Sequence, residues 1–150
     1  HAIPRRQRQM CIRDSVWRDV IFDEYHFSLT KGSPEKVDVP MVRVQTQSVL
    51  QDTLGIDEIG KKWSIRKSLQ KIADEGTGVF VLINHRDAKT YWLSNLKDEN
   101  IEPKKNRRVI GIGSQILRAI GLNKIKVLGT PTKYSGLSGF NIEIEGFIDE

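Results

Sequence analysis

The chain has 150 residues, of which 38% are apolar and 29% charged, with a formal net charge of +5. That length suits one domain with a core of its own, and the composition is that of a globular chain, not of a disordered or fibrous one. No apolar run approaches the roughly 20 residues that span a bilayer, and the basic start lacks the apolar stretch of a secretory signal, so the expectation is a cytoplasmic protein without membrane contact.

The first fifteen residues stand apart. Met10–Ser15 (MCIRDS) matches the translation of a transposase mosaic-end adapter used in sequencing libraries, so residues 1–15 are read as an adapter-derived, disordered lead and residues 16–150 as the domain. The lead holds Arg5, Arg6, Arg8 and Arg13 against Asp14, a net +3 of the total +5, which leaves +2 for residues 16–150. That near-neutral balance argues against a nucleic-acid partner. Cys11, the only cysteine, lies in the lead, and a single cysteine excludes internal disulfides.

From Val16 onward, Val16–Phe22 and His26–Thr30 read as β-prone segments joined by the turn Asp23-Glu24, with Gly32, Ser33 and Pro34 closing the second. His26 fits a half-exposed histidine near a strand start. Val39–Thr46 is the next strand. In Ile59–Ala73, residues Ile59, Trp63, Leu69, Ile72 and Ala73 line one face of a helix, with lysines and arginines opposite. Such a basic face suits solvent better than a phosphate. Gly76 and Gly78 close this helix, and Val79–Ile83 is a short buried strand. Tyr91 and Trp92 could stack on a purine, but packing is the commoner use of such a pair.

The stretch from about Arg108 to Ile120 repeats Ile112, Ile116, Leu117 and Ile120 at helical spacing. Gly121 follows, where a left-handed C-terminal cap commonly sits. Gly111-x-Gly113 at the expected helix start invites a phosphate-loop reading, a weak one because no third glycine follows at the right spacing. Ile125 and Val127 mark a strand, residues 129–139 a loop of turn formers, and Phe140–Ile144 alternates as a half-buried strand does.

The words GIGSQILRAIGLNKIKVL, from Gly111 to Leu128, closely resemble the C-terminal part of the GTP cyclohydrolase II family. That family opens GTP for riboflavin synthesis. The resemblance extends over about Phe22–Phe147 and implies an α+β fold, with a mixed, mostly antiparallel set of strands and two main helices. It also implies residue roles. Arg43 falls at the family's nucleotide-contacting arginine, Lys133 at its nucleotide-contacting lysine, and Arg108 at the arginine assigned as catalytic nucleophile. His26 falls at a histidine the family carries near its start.

The departures are equally specific. Gln45, Gln47 and Ser48 stand where the family has His, Glu and the first zinc cysteine, and Thr53–Lys62 contains neither of the other two cysteines. A hydroxyl does not supply the thiolate that zinc favours, so no zinc cofactor is expected. Asn106 replaces the family's aspartate base. Many members lie fused behind 3,4-dihydroxy-2-butanone 4-phosphate synthase. The resemblance therefore implies an inactive cyclohydrolase-like domain that supports such a synthase, forms a homodimer and retains at most a GTP-like nucleotide.

Overall fold

The computed structural model describes residues 12–46, 54, 63–84, 102–129 and 141–149, with the main chain alone for 102–107. A hairpin of β1 (Ile12–Asp19) and β2 (Glu24–Lys31) leads through a 3-10 turn (Pro34–Lys36) to β3 (Met41–Thr46). Then come α1 (Ile65–Glu75), β4 (Gly78–Ile83), α2 (Glu102–Ile120), β5 (Lys124–Leu128) and β6 (Glu143–Ile148). The strands form one mixed sheet in the order β1-β2-β4-β3-β5-β6.

The fold is α+β with two main helices, as expected, but the balance of the sheet differs. β1/β2 and β2/β4 are antiparallel, whereas β3/β4, β3/β5 and β5/β6 are parallel. The reason is connectivity. Two-residue turns suffice only for antiparallel neighbours, while a parallel neighbour requires the chain to cross back over the sheet. The stretch between β3 and β4, which contains α1, makes such a crossing. The stretch between β4 and β5, which contains α2, makes another.

Side chains alternate along β4 and divide the core into two layers. Val79, Val81 and Ile83 join Val42, Ile116, Leu117, Leu122 and Ile125 under α2. Phe80 turns the other way and joins Met41, Trp63, Ile72 and Leu128 under α1. The helices thus cover opposite faces. On β6 a bulge opposite Ile125/Lys126 leaves Glu145 without a register partner. It turns Ile144 to the α2 layer and Ile148 to the α1 layer. This strand starts later than expected. Asn141 has a left-handed φ of 55°, which a strand does not accommodate, and Phe140 lies outside the described residues.

α1 begins where Ser64 caps it, its hydroxyl accepting from the Lys67 N–H at 3.1 Å. Trp63 therefore precedes the helix, and residues 59–62 lie outside the described set. α2 starts at Glu102, upstream of the expected start. Pro103 falls in its first turn, where a missing N–H costs nothing. Gly111 and Gly113 are consequently interior to the helix, which removes the phosphate-loop reading. Gly113 is a packing residue instead, since a Cβ there would lie 2.8 Å from Val44 Cγ1. At the other end Gly121 takes φ 103°, and the N–H groups of Gly121 and Leu122 donate to Arg118 O and Leu117 O at 3.0 Å. This is the expected cap.

Ile12–Ser15 are strand residues paired with Ser28–Lys31, not a disordered lead. All four side chains are exposed, so main-chain bonds that any residue but proline can make hold them there. Among the described residues no helix is long and apolar enough to cross a membrane.

Candidate functional site

The parallel strands β3 and β4 end together at Thr46 and Ile83, while β5 stops three residues short, its last residue Leu128 next after the Val42–Val127 pair. β2 runs against β4, so its first residues reach the same edge. In open sheets with parallel strands, this carboxyl edge is where ligand-binding loops collect. Arg108, Glu24, His26, Arg43 and Gln45 all belong to it.

On the α2 face, β2 presents Glu24, His26, Ser28 and Thr30, all buried. Tyr25 and Phe27 on the opposite face are exposed. This pattern is inside out for a strand. Three members of this polar row are cross-linked to neighbouring elements. Trp17 Nε1 donates to Ser28 Oγ at 2.8 Å, and the Asn84 N–H donates to His26 Nδ1 at 3.0 Å. Arg108 Nη2 on α2 forms an ion pair with Glu24 Oε2. The same guanidinium lies 4.0 Å from the centroid of the Phe22 ring. α2 and the tip of the hairpin are therefore fastened together through one arginine.

His26 is 1% exposed, not half-exposed as its place near a strand start suggests. Burial lowers its pKa below the ordinary 6.5; Glu24 and Asp19 oppose that shift, and Arg108 adds to it. Sequence reasoning missed Glu24 as the partner of Arg108. The alternation of Glu24, His26, Ser28 and Thr30 was the available signal, but alternation alone does not say which row faces inward.

Arg43 projects to the α1 face. Its Nε donates to Gln45 Oε1 at 2.8 Å, Nη1 to Leu128 O at 2.7 Å and Nη2 to Trp63 O at 3.3 Å. The side chain ties the middle of β3 to the end of β5 and to the residue leading into α1. Arg43 and Arg108 thus share an edge but occupy opposite faces of the sheet. The structure does not bring them into one cluster. Lys133 and Ser48 lie outside the described residues, as do Gln47, His85 and Thr53.

The family resemblance raises the question of zinc, and the one donor group among the described residues does not fit it. Among the described residues, potential ligand atoms of Asp19, Glu24 and His26 lie within 4.8 Å of one another. Glu24 already takes Arg108, and Asp19 Oδ1 accepts from the Ile21 and Phe22 N–H groups at 2.9 and 3.3 Å. Because His26 Nδ1 accepts a hydrogen bond, its neutral ring carries the proton on Nε2. A metal-bound histidine does the reverse, donating from the nitrogen away from the metal. Buried Nε2 has no hydrogen-bond partner, but it is a donor and offers a metal no lone pair.

The architecture defines a class: a mixed α+β sheet with a helix on each face and a charged cluster at the carboxyl edge of its parallel strands. The sequence model of GTP cyclohydrolase II matches residues 6–149, and the chain belongs to that family. It is 29% identical over 139 residues to a 3,4-dihydroxy-2-butanone 4-phosphate synthase of Pseudomonas aeruginosa, covering 89% of this chain and 38% of that protein. A synthase of the same name from Neisseria meningitidis is 31% identical over 134 residues, covering 88% of this chain and 37% of the relative. The chain thus spans well under half the length of these curated relatives. The crystal structure of a two-domain 3,4-dihydroxy-2-butanone 4-phosphate synthase from A. baumannii matches with a TM-score of 0.53 at 21% identity. That match covers 93% of this chain and 41% of the other, and it supports the fold.

Proposed function

We propose that this chain is a cyclohydrolase-like domain of riboflavin biosynthesis that has lost GTP hydrolysis. In this reading it serves as a structural or regulatory companion of a 3,4-dihydroxy-2-butanone 4-phosphate synthase domain. The pairing of Arg108 with Glu24 carries the reading. A nucleophilic guanidine needs a free lone pair, and a carboxylate at hydrogen-bond distance holds the group as a cation without one. Asn106 at the family's base position accepts no proton near neutral pH, and the thiolates that would hold zinc are missing from the sequence. Relatives named for the synthase reaction support the companion role.

The test is GTP turnover by the full chain with added zinc or magnesium, together with its metal content. The expected result is no formate release and no stoichiometric zinc. Turnover with bound metal would establish the alternative, an active cyclohydrolase with a rearranged site. Titration with GTP then separates two forms of the proposal. Binding heat without turnover assigns Arg43 and Lys133 a nucleotide-sensing role, and no heat assigns the domain a purely structural one.

A further inference from the structure

β2 buries its polar row and exposes its aromatic one. Tyr25 is 49% and Phe27 47% exposed, and Val16, the cross-strand partner of Phe27, is 61% exposed. On the other side Phe27 pairs with Leu82, which packs against the core under α1. The apolar surface that α1 covers over β3 and β4 therefore continues across β2 to β1, where Val16, Tyr25 and Phe27 remain in solvent. At the hairpin tip, Val20 and Ile21 are 80% and 83% exposed. Exposed apolar side chains scattered singly need no explanation, but a contiguous set on one hairpin marks an interaction surface. The hairpin spans 20 residues from Ile12 to Lys31, and alternate strand positions place about half of them on this face.

We infer that this face of the β1–β2 hairpin is the docking surface for a 3,4-dihydroxy-2-butanone 4-phosphate synthase domain. The inference rests on the companion reading above and names the surface that reading requires. The occupant is argued from the relatives. This chain covers 38% of the Pseudomonas aeruginosa synthase and 41% of the two-domain A. baumannii protein, so more than half of each lies outside the match. A domain of this family in those proteins has a large neighbour on the same chain, and an apolar sheet face is what a permanent neighbour covers. Val16, Tyr25 and Phe27 supply the aromatic and aliphatic centre of such an interface, with Arg18 and Asp23 at its rim.

The probe is the Pseudomonas aeruginosa synthase cut back to the part outside the match, with its own turnover showing that it is folded. Binding to the full 150-residue chain is compared with binding to a Val16→Lys/Phe27→Lys variant. Val37→Lys serves as control, because Val37 is an exposed apolar residue elsewhere (43%). Thermal unfolding of each variant is measured in parallel. The expected result is association with the native chain, a loss of about tenfold or more in the double variant, and binding within about twofold for the control. If the native chain binds and the double variant binds equally well, the surface is wrong while the companion reading stands. If the native chain fails to bind the active synthase, the companion reading falls and this inference with it. A concentration-dependent dimer of the chain alone, dissociated by the double variant, would assign the face to a second copy and overturn the choice of occupant.

Discussion

The two arginines at the carboxyl edge show how one residue type does different work on the two faces of a sheet. Arg108 meets a carboxylate that is 6% exposed, and the pair fastens α2 to the hairpin across 84 residues of sequence. Among the described residues Arg43 donates to three neutral oxygens, two of them main-chain carbonyls, and fastens β3 to β5 and to the start of α1. In the first case a buried charge depends on its counter-charge. In the second a cation supplies hydrogen bonds that no other residue type could distribute over three acceptors in one plane. An arginine held by a carboxylate costs most when it is removed, because the partner's charge stays behind.

That difference can be measured, beginning with the largest effect. Arg108→Ala removes the cation beside Glu24 and is expected to cost about 3 kcal/mol in urea unfolding. Adding Glu24→Gln should restore part of the loss, since the buried carboxylate charge is then gone. A loss below about 1 kcal/mol would put the pair with ordinary exposed ion pairs and erase the contrast. Arg43→Ala removes donors to neutral acceptors and is expected to cost about 2 kcal/mol. Here Arg43→Lys should recover little, because an ammonium lacks the planar fork that reaches Gln45, Leu128 and Trp63 together. If lysine restores full stability, the geometry of the fork is irrelevant.

The smallest effect is a pH dependence confined to the α2 face. The pKa of folded His26 lies below the 6.5 of the unfolded chain. Between those two values the unfolded state binds more protons, so stability rises with pH. The contribution is complete above about 6.5 and is lost as pH falls through the folded value. Protonation also places a hydrogen on Nδ1, where the Asn84 N–H now donates. The melting temperature should therefore fall on acidification from about pH 7.5 to 5, and the fall should shrink in His26→Gln. An equal slope in that variant would assign the acid sensitivity to other groups.

Much of the fold was legible because local patterns report it. Ile112, Ile116, Leu117 and Ile120 announce the inward face of α2, and Gly121 its end. Val79–Ile83 reads as a buried strand and is one. Strand direction was not legible, since parallel and antiparallel neighbours share the same alternation, and the crossings through α1 and α2 fix it for β3, β4 and β5. The start of α1 was placed too early because apolar spacing continues through Trp63, while the cap at Ser64 ends the helix. For the site, the resemblance placed Arg43 and Arg108 on the sequence but gave no faces. They were separated by the odd and even positions of the strands around them.

The sequence by itself determined the family, the absence of any cysteine after Cys11 and the apolar spacing of both helices. These are matters of residue identity and short-range periodicity. The tertiary structure alone decided that β2 is inverted, with Glu24 and His26 inside and Tyr25 and Phe27 outside. An alternating strand is symmetric with respect to its two faces, and only what packs against each face, here α2 and Arg108 on one side and solvent on the other, breaks that symmetry.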